Sequence, residues 1–363
     1  MKKITVITAV MLCIAVMFAA CTGKNVNNGE ENAPGTLPEN TVNNGAESDI
    51  PDDKGENPLP QDTVPTVVNV AALKGPTSIG LVKLMSDAAE DTSAPYAYDF
   101  AVEAAADAIT PKLIKGEFDM AAVPANLASV LYNNTNGEIV VLNINTLGVL
   151  YIVENGDTVK SVEDLRGKTI YSSGKGNTPE YALNYMLQAN GLTPGKDVTV
   201  EFKSEHSECV AAILAEPNAV AMLPEPFVTT AQLANENIHT VLDLTKEWEN
   251  ASGKTLITGV MVARKSFVEE NPEAVADFLA KYENSVDYAN RNVAEAALLV
   301  DKYGIFTAAV AEKAIPQCSL VFISGDEMKQ KLSDYLTELN AQNPAAIGGK
   351  LPDDAFYYGT TQE

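Results

Sequence analysis

Short runs of apolar and β-branched residues alternate with helical patterns from residue 66 onward. Most of these runs are followed by residues that favour the start of a helix. A strand followed by a helix, repeated along the chain, is typical of an α/β fold in which the strands are mostly parallel. The predicted strands cover residues 67–73, 98–102, 119–123, 139–144, 169–171, 198–202, 219–223 and 256–262.

The last third of the chain has a different pattern. Beyond about Arg264, apolar residues recur at the three- and four-residue spacing of one helix face, and nearly all of this part is predicted to be helical. We expect these helices to cover a sheet built by the earlier strands. The two clearest stripes are Val275, Phe278, Leu279, Tyr282 and Val286, and then Met328, Leu332, Tyr335, Leu336 and Leu339.

The N-terminus has the pattern of an export signal. Lys2 and Lys3 precede an apolar run that ends in Phe18-Ala19-Ala20-Cys21. This ending resembles the bacterial lipobox, in which the cysteine is lipidated and becomes the mature N-terminus. We therefore predict a lipoprotein signal peptide over residues 1–20 and a lipid at Cys21. The alternative is an ordinary signal peptide cut near the same place.

Residues 21–65 are predicted to form a disordered acidic tether. Residues 22–65 contain no aromatic residue, and Asn, Gly and Pro make up 19 of these 44 positions. The segment also holds nine acidic residues against two lysines. A chain of this composition cannot bury a core and repels itself, so we expect it to hold the folded part away from the lipid.

Charge and motifs exclude several functions. The formal net charge of -24, with 25 Lys and Arg against 49 Asp and Glu, argues against nucleic acid as a partner. The sequence contains no HExxH, GxSxG, CxxC or Walker A motif, and it has only two histidines, His206 and His239. We therefore predict that the chain is not an enzyme and uses no metal or cofactor.

Five segments, in this order and spacing, resemble the solute-binding proteins of ABC importers. Within that group the resemblance is to the branch that binds nitrate, sulfonates and thiamine precursors. It extends from about residue 66 to the C-terminal helices. The segments are residues 73–78 (LKGPTS), 118–126 (FDMAAVPAN), 161–170 (SVEDLRGKTI), 190–198 (NGLTPGKDV) and 223–227 (LPEPF).

The resemblance implies the two-lobed type II periplasmic-binding-protein fold, in which two hinge crossings join the lobes and the solute lies between them. Lobe 1 would comprise residues 66–145 plus 259–363, and lobe 2 residues 146–258. Gly148 and Gly259 would absorb backbone rotation at the crossings. Cys209 and Cys318 would then lie in different lobes as buried free thiols.

The implied partners are a small-molecule solute and an ABC permease with its ATPase. The protein is expected to be a monomer outside the cytoplasm, attached to the bacterial membrane through its lipid alone.

Ligands of open α/β sheets lie beyond the carboxyl ends of the strands, where helices begin with unpaired N–H groups. The loop after the first strand offers Lys74, Gly75, Thr77 and Ser78, either as ligand contacts or as a capped helix start. Asn126 follows the third predicted strand, and it contacts a ligand or caps its own helix.

The loop at residues 172–179 is rich in donors, and we expect the strongest contact here. It offers Ser173, Gly174, Lys175, Asn177 and Thr178. An anionic group at the following helix start would gain about 0.3–1 kcal/mol from the helix dipole.

Four further residues complete the candidate site. Glu225, between two prolines at a strand end, either meets a donor group on the solute or stabilises a helix start. Asn145, Thr146 and Thr258 lie at the expected crossings. His206 is interpreted as a surface or cleft-rim residue rather than a metal ligand.

Two features of the candidate site bear on the solute. Helix starts favour an anion, whereas Glu225 favours a donor on the same molecule. We therefore predict a small polar organic solute: a zwitterion, an amino-heterocycle such as a thiamine-precursor pyrimidine, or an organic anion. The alternatives are a sulfonate or nitrate binder, and a sensory or adhesive surface lipoprotein that retains the fold.

Overall fold

The computed structural model describes residues 65–91 and 93–361. The predicted signal peptide, the lipidated Cys21 and the tether up to residue 64 lie outside the described residues. The strands are β1 Thr66–Leu73, β2 Tyr96–Glu103, β3 Met120–Pro124, β4 Ile139–Leu147, β5 Leu150–Asn155, β6 Thr169–Ser172, β7 Thr199–Phe202, β8 Val220–Pro224, β9 Ile238–Asp243, β10 Ile257–Arg264 and β11 Leu320–Ile323.

Helices follow most of the strands and dominate the C-terminal third. They are α1 Pro76–Ile79, α2 Val82–Glu90, α3 Ala106–Lys115, α4 Ala125–Asn134, α5 Thr178–Ala189, α6 His206–Ala215, α7 Phe227–Ala234, α8 Leu244–Ser252, α9 Lys265–Glu270, α10 Pro272–Arg291, α11 Val293–Lys302, α12 Ala308–Ala314 and α13 Gly325–Gln342. Short 3₁₀ turns cover Val162–Leu165, Ile315–Gln317, Pro344–Ile347 and Asp354–Phe356.

The strands form two sheets. The first has the order β11-β4-β10-β3-β1-β2 and the second the order β7-β6-β8-β5-β9. The chain therefore leaves the first sheet after β4, builds the whole second sheet, and returns at β10. All eight predicted strands are present, with bounds within three residues, whereas β5, β9 and β11 were not predicted.

Both sheets are mixed, so the expectation of mostly parallel strands is wrong. β1 is parallel to β2 and β3, but β10 is antiparallel to β3 and β4. In the second sheet β6 is parallel to β7 and β8, while β5 is antiparallel to β8 and β9. The cause is the double crossing, because β5 and β10 each enter a sheet from the side of the other sheet.

The two predicted C-terminal stripes form helices that pack on the first sheet's strands and helices. In α10 the side chains of Val275, Phe278, Tyr282 and Val286 are buried, and α10 packs against α2. Full burial of each such large side chain contributes about 1.5–3 kcal/mol. In α13 all five residues of the predicted stripe are buried.

The two cysteines of the described region are free and buried, as predicted. Cys209 lies in α6 beside the second sheet, and Cys318 lies just before β11 of the first. Burial raises the pKa of the Cys209 thiol to about 12. Within the described residues, no helix combines the length and apolar character needed to cross a membrane.

Candidate functional site

A cavity of about 270 Å³ has walls from both sheets. Its floor is formed where the chain crosses between the sheets, by Thr146, Val149, Leu150 and Thr258. The site therefore lies at the carboxyl ends of the parallel strands, where open α/β sheets bind ligands.

The first-sheet wall is a tight turn between β1 and α1. Gly75 has φ 151°, a conformation that other residues rarely adopt, and its N–H donates to Ser78 Oγ at 3.2 Å. Ser78 Oγ also lies 3.0 Å from Gly75 O, and Thr77 Oγ1 donates to Leu73 O at 2.9 Å. Lys74, Gly75 and Thr77 line the cavity, whereas Ser78 is fully buried and holds the turn.

A second helix start completes this wall. Residues 104–107, which lead into α3, line the cavity with three alanines and Asp107. The N-cap Ala105 makes no side-chain bond, so it satisfies none of the free N–H groups of the first turn.

The second-sheet wall is formed by the loops that precede α5 and α6. Ser173, Gly174, Lys175 and Asn177 line it from one loop, and residues 203–206 from the other. Ser173 Oγ and His206 Nδ1 are 2.7 Å apart, so a hydrogen bond ties the two loops together.

His206 is a neutral imidazole in this wall. Its ring packs on Phe227 with a centroid separation of 5.1 Å. Burial lowers the pKa of the imidazole from 6.5 to about 4, because the protonated ring would lose its hydration. A neutral ring carries one N–H, so either Nδ1–H donates to Ser173 Oγ and leaves the hydroxyl proton for a ligand, or Ser173 donates to Nδ1 and Nε2–H is the remaining donor.

Charged side chains of both signs line the cavity: Lys74, Lys175 and Lys203, together with the carboxylates Asp107 and Glu205. Lys203 is paired with Glu201 at 2.6 Å. Lys74 Nζ lies 5.4 Å from the centre of the Phe306 ring, and Lys175 Nζ lies 5.8 Å from that of Phe202. The starts of α3, α5 and α6 add backbone donors, and each helix start stabilises a nearby negative charge by about 0.3–1 kcal/mol.

The structure brings together nine of the fourteen predicted contact residues. These nine line the cavity: Lys74, Gly75, Thr77, Thr146, Ser173, Gly174, Lys175, Asn177 and Thr258. The other five, Ser78, Asn126, Asn145, Thr178 and Glu225, do not line it.

Asn126 and Thr178 are buried and bonded to the protein itself. Asn126 Nδ2 donates to Gly176 O at 3.2 Å and to Ala346 O at 2.9 Å. Asn126 Oδ1 accepts from Thr178 Oγ1 at 3.2 Å, and Tyr335 donates to the same hydroxyl at 3.2 Å. This network supports the loop that carries Ser173.

Asn145 and Glu225 also have partners within the protein. Asn145 Oδ1 accepts from Thr146 Oγ1 at 3.0 Å. Glu225 accepts from the N–H of Thr229 at 3.1 Å in the first turn of α7, so it acts at a helix start. Glu225 lines a separate pocket with Tyr151 and Lys313, and burial raises the pKa of its carboxyl.

Two parts of the site were missed in the sequence. The start of α3 carries no Ser, Thr, Asp or Asn at its N-cap, so no capping signal marked it. The start of α6 was recognised, but His206 was assigned to the rim. Its proximity to Ser173 depends on the pairing of β6 with β7, which brings the two following loops together.

Comparisons with known proteins agree with this fold. The family of periplasmic substrate-binding proteins of phosphonate ABC transporters matches residues 84–314, which is more than half of the chain. A putative binding protein of Brucella abortus is 27% identical over 202 residues, 54% of this chain and 61% of that protein. The chain thus matches less than two thirds of the length of these curated relatives.

Solved structures share the architecture. An ABC transporter from Parabacteroides distasonis is 26% identical with a TM-score of 0.67, over 80% of this chain and 98% of that one. The periplasmic aliphatic sulphonate-binding protein of Escherichia coli is 16% identical with a TM-score of 0.65, over 83% and 94%. These neighbours confirm the predicted two-lobed periplasmic-binding-protein fold.

The matched family consists of substrate-binding transport proteins and not of enzymes, in agreement with the prediction from the missing catalytic motifs. The match also confirms the resemblance that the five sequence segments indicated. On the extent of the family match, the chain belongs to the periplasmic substrate-binding proteins of ABC transporters, in the phosphonate-binding family.

Proposed function

We propose that this protein is the extracytoplasmic receptor of an ABC importer and captures a small organic anion between its two lobes. The observation that carries the proposal is the meeting of three helix starts, those of α3, α5 and α6, at one cavity beside the Ser173–His206 pair. Backbone N–H groups and hydroxyls at this point suit an oxyanion such as a phosphonate, sulfonate or carboxylate.

The apolar part of the wall supports an organic solute. Leu150, Val149, three alanines at residues 104–106, and the prolines Pro179 and Pro224 face the cavity. Bare nitrate would leave this surface without a partner. Glu225, the carboxylate on which the zwitterion and amino-heterocycle prediction depended, does not line the cavity. Asp107 and Glu205 do line it, so a donor group on the same solute would still have a partner.

Closure is part of the proposal. The lobes would be residues 66–145 plus 259–363 and residues 146–258, each built around one sheet, with the solute held when they approach. The closed, loaded monomer would then deliver its solute to an ABC permease driven by its ATPase.

The anchor is proposed from the N-terminal sequence. A lipid on Cys21 would keep the receptor at the outer face of the membrane, since acyl chains bind by about 0.8 kcal/mol per buried methylene. Metabolic labelling with an alkyne fatty acid checks this. The wild-type chain is expected to take up label, and Cys21→Ser is expected to take up none; equal labelling would refute the anchor.

Calorimetry tests the solute class. The Cys21→Ser chain, free of lipid, is titrated with methylphosphonate, methanesulfonate, acetate, methylamine and glycine. We expect one-to-one binding of at least one oxyanion and none of methylamine. Binding of methylamine or glycine alone, or of none of the five, would contradict the proposal.

Two serine variants locate the site in the same experiment. Ser173→Ala is expected to weaken oxyanion binding about tenfold, because a hydrogen bond to a charged group contributes about 1.5 kcal/mol or more. Ser324→Ala is the matched control, since Ser324 is exposed and makes no side-chain cap bond. Equal affinities of the two variants would place the anion elsewhere.

A further inference from the structure

Beside the cavity, two phenylalanines meet across the two halves of the molecule. Phe227 begins α7 next to the second sheet, and Phe306 lies in the loop between α11 and α12. Their ring centroids are 5.1 Å apart at an interplanar angle of 80°, an edge-to-face pair. Neither ring lines the cavity itself.

Phe306 contacts the apolar cores of both halves. It packs on the cluster of the first sheet that contains Phe278 and Tyr282, and also on the cluster of the second sheet that contains Cys209 and Phe227. Its side chain is only partly buried. A residue in this position adds to the contact between the halves without filling the centre of either core.

Each end of the pair touches a residue of the cavity wall. The ammonium of Lys74, in the first-sheet wall, lies 5.4 Å from the centre of the Phe306 ring. The ring of His206, in the second-sheet wall, lies 5.1 Å from that of Phe227, and its Nδ1 is bonded to Ser173. A continuous series of contacts thus runs from Lys74 through Phe306 and Phe227 to His206.

We infer that Phe306 is a positioning residue, which couples closure of the two lobes to the placement of Lys74 and His206 around the bound anion. The inference rests on the proposed function. Phe306 holds the ammonium of Lys74 by a cation–π contact and the ring of Phe227 by an edge-to-face contact. Lys74 and Phe306 belong to the same half, and the contact of Phe306 with Phe227 is the one that exists only while the two halves are together.

The kinetic consequence is a slow release of solute. An open protein without the aromatic pair still receives the anion, so the association rate changes little. The closed complex loses one of the contacts between the two halves, while those of Asn126 and Tyr335 with Thr178 remain, so the dissociation rate rises. A purely structural role for Phe306 would instead lower thermal stability and leave the dissociation rate of the folded protein unchanged.

Phe322 provides a matched control. It is also a partly buried phenylalanine packed on the first-sheet cluster, and it makes an edge-to-face pair with Tyr282 at 5.9 Å. Unlike Phe306, it does not pack on the second-sheet cluster. Truncation of Phe322 removes a similar area of apolar contact from one half only.

Stopped-flow fluorescence of the full Cys21→Ser chain, with methylphosphonate and methanesulfonate as probes, tests the inference. The sequence has one tryptophan, Trp248, whose ring packs between Tyr185 and Tyr335. Because Tyr335 lies in the other half, the fluorescence of Trp248 is expected to change on closure. The chain is compared with Phe306→Ala, Phe306→Tyr and Phe322→Ala variants, and the melting temperature of each variant is recorded.

We expect Phe306→Ala to release the probe about tenfold faster, with its association rate within about threefold of wild type. Phe306→Tyr keeps the aromatic contacts and is expected to restore slow release. Phe322→Ala is expected to release the probe at the wild-type rate. Wild-type release by Phe306→Ala, or equally fast release by Phe322→Ala, would overturn the inference alone. Failure of the wild-type chain to bind either probe would overturn it together with the proposed function.

Discussion

The position of His206 in the cavity wall depends on contacts with residues far from it in the sequence. Its neighbours Glu205, Ser207 and Glu208 are polar, a pattern that favours a surface position. In the structure its ring packs on Phe227 and bonds to Ser173, 33 residues away. Contacts of this kind depend on strand pairing, which a local pattern does not contain.

The lowered pKa of His206 makes stability depend on pH. Because the pKa is 6.5 in the unfolded chain and about 4 in the folded one, the unfolded chain binds more protons between these values. The contribution of the neutral ring is therefore complete above pH 6.5 and is lost as the pH falls toward 4. Removal of the imidazole is expected to reduce this loss.

Thermal unfolding from pH 7.5 to 4 measures the effect. The melting temperature of His206→Gln is expected to fall less than that of wild type over the range from pH 6.5 to 4. His239→Gln is the control, since His239 is the second histidine and is exposed. Parallel curves for wild type and His206→Gln would show that the ring is not held neutral by the fold.

Asn126 and Glu225 show what prediction from single residues can reach: Glu225 has the helix-start role that was one of its two alternatives, whereas Asn126 has neither of its own. Each follows a strand at the expected edge of a sheet, and for each the sequence allowed either a ligand contact or a helix-start role. The amide of Asn126 is instead used by Gly176 and Ala346, which is 220 residues away. Most buried polar groups are paired, and the partner is known only when distant segments are placed.

At the scale of elements, two of the three missed strands have features that obscured them. β5 begins directly after the expected crossing and ends in Glu154 and Asn155, and Glu154 is a fully buried carboxylate. Its carboxylate accepts from the N–H groups of Thr158 and Val159 at 2.8 and 2.9 Å and lies 3.4 Å from Lys168. β11 has only four residues and lies between helical segments of the chain. Its run of apolar residues is therefore too short to be distinguished from the apolar positions of the neighbouring helices.

The two glycines at the crossings have a role that the sequence did not reveal. They were expected to absorb backbone rotation. A Cβ on Gly148 would overlap the side chain of Thr245, and one on Gly259 would lie 2.5 Å from Asn145 Oδ1 and 3.0 Å from Thr77 Cγ2. The lack of room for a side chain is therefore a sufficient reason for glycine at both positions. At Gly259 the neighbouring side chains include Thr77 and Thr146, which line the cavity.

For the whole molecule, the order of motifs predicted more than any single motif. A strand followed by a donor-rich helix start occurs in each half, and the two halves place these starts at one cavity. The sequence identified the loops after β1 and β6 for this reason. It did not identify the loop before α3, and it left His206 at the start of α6 as a surface or rim residue, because the position of both loops at the cavity follows from the pairing of β1 with β2 and of β6 with β7.

A cavity with walls from both halves implies that solute enters when they separate and stabilises them when they approach. Double electron–electron resonance between spin labels on Leu233→Cys in α7 and Leu298→Cys in α11 measures this separation. Both positions are exposed, and Cys209 and Cys318 are buried. Replacement of Cys13 and Cys21 by serine leaves only the two introduced cysteines accessible.

Methylphosphonate, or the oxyanion that binds in calorimetry, is expected to shift the label distances toward shorter values. Labels on Ile114→Cys and Leu298→Cys, both beside the first sheet, serve as the control and are expected to keep their distance. A solute that shifts neither pair would mean that the cavity fills without closure, and the contact between Phe227 and Phe306 would then be present in the free protein as well. A shift in the first pair alone would establish that the solute draws the two halves together, because only a relative movement of the halves changes one distance without the other.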